Sequence, residues 1–542
     1  MLSGQMMTLP LSITSVMRFA EKAHKDTEIV SVTPDNPRHR YTYADAFRRV
    51  RQLANALKGS GVGSGDRVAT LAWNDHRHLE LYYGIPSYGA VCHTINPRLF
   101  PEQVEYIVNH AENKLLFTDP AFLPLLETLQ GKLPSLKQIV VLTDSLHMPE
   151  TSLSGVVDYE SYIGNQPDAF DWPELDENAA SGLCYTSGTT GNPKGVLYSH
   201  RSTLLHAYAT ITPDVMCLSS HDAVLPIVPM FHVNAWSIPY AAPIVGSKLV
   251  LPGSQMGDSE TLQQLIDSEG VTISAGVPTI WLALLEYLRT TGKTLESLNR
   301  VVVGGAACPL SIIGEFEQRH NIKTLQGWGM TETSPLGVFN TLKSGMAKLP
   351  KEELDEIKVK QGRPIFGVDI RIIDETGAEQ PWDGESTGEV QVKGNWVCNS
   401  YFRQETGAPL NDDGFFPTGD VASIDPQGFM RITDRIKDVI KSGGEWISSI
   451  DLENAAIGHP AVAEAAVIGV PHAKWTERPL LIVKKVDGVN AGKEEILSFL
   501  EGKVAKWWIP DDVQFIDEIP HTATGKISKK DLREIFSDYS AG

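Results

Sequence analysis

Residues 67–143 alternate short apolar runs with stretches of helical period, and this alternation limits what the chain can fold into more than any other feature of it. Residues 67–73, 90–95, 114–119 and 138–143 are short, largely apolar and hold β-branched side chains, the pattern of buried strands. Residues 76–88 and 101–112 between them read as helices. Upstream, Thr42 and Asp45 have the spacing of a capping box, and Phe47, Val50, Leu53, Ala54 and Leu57 recur at helical period until Gly59. The rhythm returns after residue 220, with strands expected at 223–228, 248–251, 271–274 and 300–303 and helices at 262–267 and 280–288. Strands joined through helices pair in parallel, and a parallel sheet needs helices over both faces. An α/β protein with two β/α units is therefore predicted.

Between the two units lies Tyr185-Thr186-Ser187-Gly188-Thr189-Thr190-Gly191-Asn192-Pro193-Lys194-Gly195, a run with no large aliphatic side chain. It cannot pack a core. Glycines let backbone N–H groups approach an oxygen, hydroxyls add donors, and Lys194 adds full charge, so a triphosphate suits it. It is not a Walker A loop, because Lys194 stands between Pro193 and Gly195. A solvated surface loop has the same composition, and the motifs further along the chain decide between the two.

A length of 542 residues exceeds one ordinary domain, and 42% hydrophobic with 21% charged residues suits a soluble enzyme with a full core. The formal net charge of -20 argues against nucleic acid or an anionic membrane as a bulk partner. Cys92, Cys184, Cys217, Cys308 and Cys398 lack paired spacing and read as reduced, buried thiols of a cytoplasmic protein. Residues 1–23 lack the layout of a signal peptide, and no apolar stretch has the length of a membrane span.

From about residue 362 to 434 the texture changes to short strands, at 368–373, 388–393 and 430–433, separated by turns. Ser448 and Asp451 then cap a new helix. Four further signatures come after the glycine-rich run: Gly327-Trp328-Gly329-Met330-Thr331-Glu332-Thr333, Thr418-Gly419-Asp420, Asp434-Arg435-Ile436-Lys437-Asp438 and Thr524-Gly525-Lys526. Together, in this order, they resemble the adenylate-forming superfamily of acyl-CoA synthetases, luciferases and peptide-synthetase adenylation domains, over nearly the whole chain. The resemblance implies a large N-terminal AMP-binding domain, residues 1–433, of two β/α subdomains and a small β-barrel-like unit. A smaller mobile α+β lid, residues 434–542, completes it.

It also implies roles. Thr186, Ser187, Gly188, Thr189, Thr190 and Lys194 would hold the β- and γ-phosphates of ATP, Thr331 the α-phosphate, and Glu332 a Mg²⁺ ion. Gly304, Ala306 and Ala307, small residues after the strand at 300–303, would admit the base beside Gln326, Gly327, Trp328, Gly329 and Met330. Asp420 would accept both ribose hydroxyls with Arg435 in support. Lys526 would bridge the attacking carboxylate and the α-phosphate. A cation 4 Å from an anion at an effective dielectric of about 20 contributes about 4 kcal/mol. Lys529 and Lys530 are read as solvated neighbours, and for Lys503, Lys506, Trp507 and Trp508 a helix face with packed Trp and solvated Lys is expected. Lys437 stands where the family pivots, although many relatives have Asp there. Lys441, Gly443, Gly444, Trp446 and Arg478 would face CoA after the pivot.

Pro229-Met230-Phe231-His232-Val233-Asn234-Ala235-Trp236 resembles the family segment lining the acid pocket, with His232, Val233, Trp236, Gly304 and Gly329 as its contacts. No acidic side chain there would meet an ammonium, which disfavours amino acids. Trp236 suggests limited depth, hence a short or medium acid, and the overall likeness is to medium-chain acyl-CoA synthetases and methylmercaptopropionate-CoA ligases. An aromatic wall suits a thioether. The implied reaction joins an acid to CoA through an acyl-adenylate, releasing AMP and pyrophosphate, with a homodimer as a family-level expectation. Loading of a separate carrier protein and a catalytically silent nucleotide sensor stay open.

Overall fold

Two separate sheets take up the predicted strands. The computed structural model describes residues 2–186, 192–404, 409–442, 445–486, 488–489, 491–522 and 527–539, with only the backbone at 445–446. The first sheet runs Val157–Asp158, Gln138–Val141, Leu115–Thr118, Arg67–Leu71, Val91–Thr94, Ala180–Tyr185, Gly195–Ser199. All neighbours in it are parallel except the last two strands, which flank the glycine-rich run and pair antiparallel from Tyr185↔Gly195 to Ala180↔Ser199. Residues 187–191 of that run lie outside the described residues, but the Thr186 N–H donates to the Lys194 carbonyl at 2.8 Å.

The second sheet runs Arg363–Pro364, Leu336–Asn340, Lys323–Gly329, Arg300–Val303, Ile273–Gly276, Ala223–Pro226, Lys248–Leu251, Glu28–Ser31, His39–Thr42. The expected strand at 271–274 starts two residues late, at Ile273, and runs to Gly276. Glu28–Ser31 joins this distant sheet, in parallel with Lys248–Leu251, although it precedes the first sheet in the chain. A layer of helices lies between the sheets: one core holds Val68 and Leu115 of the first, Leu249 and Val302 of the second, and Phe47, Leu53 and Leu81 of the helices. The Thr42–Asp45 capping box forms as expected and opens the helix Tyr43–Gly59.

The helix His76–Tyr88 runs through this layer and is buried on nearly every face, its charged residues included. Burial of Arg77 and Glu80 demands partners. Arg77 donates to Asp35 at 2.6 Å, Glu160 at 2.8 Å and the Leu142 carbonyl at 3.2 Å. Arg49 bridges Glu80 at 2.7 Å and Glu160 at 2.9 Å. Burial pushes the Asp35 carboxyl up, yet the Arg77 hydrogen bond and charge outweigh it and hold the group down at about 2. A depressed carboxylate stabilises above its ordinary range near pH 4, and that contribution is lost as pH falls toward 2. Arg77→Met leaves Asp35 and Glu160 short of a cation and should destabilise the large lobe by about 3–5 kcal/mol, seen as an earlier urea transition. An unmoved transition at pH 7 would remove the network from the stability of the fold.

Residues past 362 form an antiparallel four-stranded sheet, Val368–Ile373, Thr387–Gly394, Phe416–Ile424, Met430–Arg435. It is open, since its two outer strands do not pair with each other, so the barrel-like expectation holds only as far as a curved β unit. The strand Phe416–Ile424 is not among the expected strands; it contains Pro417 and Gly419, residue types that ordinarily favour turns. Met430–Arg435 runs past residue 434, so Asp434 and Arg435 pair into this sheet opposite Val421 and Asp420. The remainder is a five-stranded sheet with the helices Ser449–Ile457, Lys493–Leu500 and Lys529–Ile535, the first capped by Ser448 as expected. Lys506–Trp508 is only a single 3₁₀ turn; Trp508 packs on the core and Trp507 is exposed. Among the described residues no helix is long and apolar enough to cross a membrane. All five cysteines are unpaired, and Cys217 is exposed rather than buried, in a positive-φ turn.

Candidate active site

A cleft of about 620 Å³ opens beyond the carboxyl ends of Ile273–Gly276 and Arg300–Val303, where Val277, Gly304 and Gly305 come directly after the strands. Its wall takes in Thr186, Asn192 and Lys194 from both ends of the glycine-rich run, and Thr522 and Ile527 from both sides of residues 523–526. Lys526 itself, with Thr524 and Gly525, lies outside the described residues, as do Ser187, Gly188, Thr189 and Thr190. The two segments that the sequence separates by more than three hundred residues thus border one cavity.

Glu332 and Thr331 stand at the polar end. Both are buried, and Tyr198 fixes the turn by donating to the Thr331 carbonyl at 2.8 Å. The Glu332 carboxylate accepts from the Tyr401 hydroxyl at 2.7 Å, and the Lys194 ammonium sits 4.9 Å from the Tyr401 ring centroid. Burial raises the Glu332 carboxyl, against the pull of Tyr401, Arg435 and Lys194. A buried carboxylate in a phosphate-sized cleft is a hard-oxygen donor with unfilled acceptor sites, and these residues fit a Mg²⁺ ion that takes its other ligands from phosphate and water.

Trp328 lines the cleft, wedged so that a side chain on Gly337 would meet its ring at 2.4 Å. Its indole N–H donates to Asp420 at 2.8 Å, while the other Asp420 oxygen pairs with Arg435 at 3.1 Å. Asp420 does not itself line the cleft; it orients two residues that do, and each of its oxygens keeps an acceptor site. Gly327, Gly329 and Met330 line the cleft, and Gly329 admits no side chain, since a Cβ there would fall 1.5 Å from the Pro335 carbonyl oxygen. Three residues expected at the base site are not part of the cleft wall. Gln326 is buried, accepting from the Cys308 N–H at 2.7 Å and donating to the Lys360 carbonyl at 2.7 Å. Gly304 and Gly305 line the cleft, and Ala306 and Ala307 follow them in the chain without lining it.

His232, Val233 and Trp236 line the apolar end. Val233, Asn234, Ala235, Trp236 and Ser237 all have positive φ, 46° to 63°, a left-handed turn built without glycine. At roughly 1–2 kcal/mol per residue such a turn persists only where its surroundings hold it. His206 does so: its Nε2 accepts from the Leu336 N–H at 3.1 Å, which leaves Nδ1 to donate to the Ser237 hydroxyl at 2.7 Å. Burial pushes this imidazole down to about 3, so it stays neutral. Asn74 and Tyr82 secure the other side, on Met230 and Asn234. The turn lays Trp236 against Gly304, where an added Cβ would meet the ring at 2.8 Å. Val215, Met216 and Phe339 line the same end.

The expected CoA set is not gathered in the cleft. Lys441 points to Glu375 at 3.9 Å on the exposed face of the strand Ile440–Ser442, and Arg478 is committed to Asp511 at 2.8 Å and the carbonyls of Trp507 and Ile509. Gly443 and Gly444 lie outside the described residues, as does the Trp446 side chain. Lys437 lines the cleft, and burial lowers its ammonium pKa. Lys529, read as solvated, is instead largely enclosed, its side chain 11% exposed, and paired with Glu453 at 2.8 Å; the helix it opens packs against the strand Val462–His472. Arg98, His206, Tyr198 and Tyr401 were not legible as site residues. Arg98 lines the cleft with burial lowering its pKa and no carboxylate among the causes, a composition-neutral residue whose role only the fold reveals.

This geometry accords with what the chain is similar to. Residues 17–402 match the model of the AMP-binding enzyme family, and residues 451–526 that of the AMP-binding enzyme C-terminal domain. A 3-methylmercaptopropionyl-CoA ligase of Ruegeria lacuscaerulensis is 50% identical over 99% of this chain and 100% of its own. A medium-chain-fatty-acid–CoA ligase of Ectopseudomonas oleovorans and a long-chain-fatty-acid–CoA ligase of Thermus thermophilus are each 48% identical, over 99% of this chain and 98% of theirs. The crystal structure of the anthranilate CoA ligase AuaEII with anthranoyl-AMP superposes with a TM-score of 0.88 at 26% identity, covering 98% of both chains.

Proposed function

The chain belongs to the family of AMP-binding enzymes, and from that premise we propose that it is an ATP-dependent acid:CoA ligase for a short or medium carboxylic acid, 3-methylmercaptopropionate among the candidates. The observation that carries this reading is the single cleft bordered by Thr186, Asn192 and Lys194 on one side and Thr522 and Ile527 on the other, with Glu332 between. A carboxylate repels nucleophiles, so it must first become a mixed anhydride with AMP. Lys194 and Arg98 neutralise a polyphosphate, Thr331 faces the α-phosphate, and Lys526 enters between the two anions that must meet. A Mg²⁺ ion on Glu332 would supply further charge neutralisation. Trp328 and Arg435, oriented by Asp420, hold base and ribose. The apolar lining keeps water from the anhydride.

For the second half-reaction the residues beyond the pivot at Lys437 turn as a lid, carrying Lys526 away and the segment that holds Gly443 and Gly444 toward the acyl group. The position of Lys441 and Arg478 outside the cleft supports a lid that must move before CoA is met. Five unpaired thiols support a reducing, cytoplasmic setting. A homodimer rests on the family resemblance alone.

The test is pyrophosphate release with ATP and a panel of acids varying in length and sulfur content, first without CoA and then with it. Release in the first stage and thioester in the second are expected; release without thioester favours carrier loading, and no release with any acid favours a silent sensor. Trp236 against Gly304 closes the acid pocket on one side, and a methylene in such a pocket is worth about 1–3 kcal/mol. Trp236→Ala should therefore shift kcat/KM toward acids several carbons longer by about tenfold or more. An unchanged acid profile would take Trp236 out of the pocket.

A further inference from the structure

Asp434 lies on the large lobe, in the strand Met430–Arg435, three residues before the pivot, yet its carboxylate serves the lid. One oxygen accepts both the backbone N–H of Ser449 at 2.8 Å and its hydroxyl at 2.5 Å. The Ser449 hydroxyl in turn accepts from the Lys529 ammonium, which is paired with Glu453 at 2.8 Å. Lys529, Ser449 and Asp434 thus form a continuous line of hydrogen bonds from lid to large lobe. Asp434 is 1% exposed, Ser449 is fully enclosed and the Lys529 side chain is 11% exposed. Beside this line the Ser448 hydroxyl donates to the Thr433 carbonyl at 2.5 Å, and Arg431 pairs with Asp451 at 3.0 Å.

The charges are uneven. Lys529 is one cation facing the carboxylates of Glu453, Asp434 and Asp438, and Glu453 and Asp438 travel with it in the lid while Asp434 does not. Once the lid has turned, Lys529 keeps its Glu453 partner, whereas Asp434 loses Ser449 and the nearby ammonium. The Asp434 interaction therefore favours one arrangement of the lobes only, that in which Ile527 and Thr522 border the cleft. Lys529 is also three residues beyond Lys526, at the start of the helix Lys529–Ile535, so whatever fixes Lys529 fixes the approach of the segment that carries Lys526.

We propose that Asp434 is a positioning residue for adenylation, a latch that acts through Ser449 and Lys529 to hold the lid in the arrangement that forms the acyl-adenylate and that must let go before thioester formation. This rests on the ligase reading with a pivot at Lys437. A hydrogen-bonded charge has a larger stake in one lobe arrangement than a neutral amide, which predicts a lopsided effect on the two half-reactions.

The experiment uses the full chain with hexanoate for ATP–pyrophosphate exchange and hexanoyl-adenylate with CoA for thioester formation. Asp434→Asn should lower the exchange rate about tenfold while thioester formation is unchanged or faster. Ser449→Ala should do the same, and Lys529→Arg, which keeps the cation, should retain most of the exchange activity. Because Lys529→Met alone strands Glu453, it is paired with Glu453→Gln, and that double variant should reproduce the Asp434→Asn split. Parallel loss of both half-reactions in Asp434→Asn, with a lower melting temperature, would assign Asp434 to stability and overturn the latch. Exchange equal to the unaltered enzyme would overturn it too. Absence of hexanoate-dependent exchange and of thioester formation in the unaltered enzyme would instead bring down the ligase reading, and the latch with it.

Discussion

Lys526→Ala lowers acid-dependent pyrophosphate release by about three powers of ten and leaves thioester formation from supplied acyl-adenylate within a fewfold of the unaltered enzyme. The size comes from charge. An ammonium near a carboxylate and a phosphate in a half-buried cleft contributes about 4 kcal/mol at an effective dielectric of about 20, and each 1.4 kcal/mol is about tenfold in rate. The asymmetry comes from the pivot. Thr522 and Ile527 border the cleft beside the phosphate-loop flanks, so Lys526 belongs to the lobe arrangement that brings these segments together and leaves with the lid. Rapid-quench measurement of each half-reaction separates the two effects. Equal loss in both would mean that the lid does not exchange positions and that Lys526 supports the fold or the nucleotide throughout.

Glu332→Gln is expected to be nearly as severe, at about 10²- to 10³-fold in the adenylation rate, with a higher half-saturating magnesium concentration. Glutamine keeps the shape and still accepts from the Tyr401 hydroxyl, so only the charge is removed. Burial raises that carboxyl against the pull of Tyr401, Arg435 and Lys194, and a divalent cation met during turnover would favour its charged form further. Tyr401→Phe is the control: losing one hydrogen bond to the carboxylate should change the rate only by about tenfold. A chelator should abolish exchange in the unaltered enzyme yet spare thioester formation from the adenylate. If Glu332→Gln kept both the rate and the magnesium dependence, the metal would have to be held elsewhere.

The parts of this molecule that could be read from residue order are those whose physics is local. The capping box at Thr42 and Asp45, the helix His76–Tyr88 and the strands Lys248–Leu251 and Arg300–Val303 depend on spacing within one or two turns, and they stand where the pattern puts them. The strand Phe416–Ile424 escaped because Pro417 and Gly419 carry turn chemistry, which pairing with a strand on either side overrides. The surroundings of Gln326 and Lys529 were hidden for a related reason. Each has polar chemistry that could face water or substrate, and each is instead claimed by partners far along the chain: the Lys360 carbonyl for one, and Glu453, 76 positions upstream, for the other.

The sequence by itself determined that this chain has two β/α units, a glycine- and hydroxyl-rich run between them, and the ordered signatures of an AMP-binding enzyme, because composition and short-range spacing carry those properties. Only the tertiary structure decided that His206 braces the left-handed turn bearing Trp236, that Tyr401 meets Glu332, and that Asp434 reaches across to Ser449 and Lys529. These contacts join residues from 15 to 80 positions apart, and no periodicity spans such distances. They depend on which strand lies beside which, and that order is settled by the burial of the whole core rather than by any one segment of it.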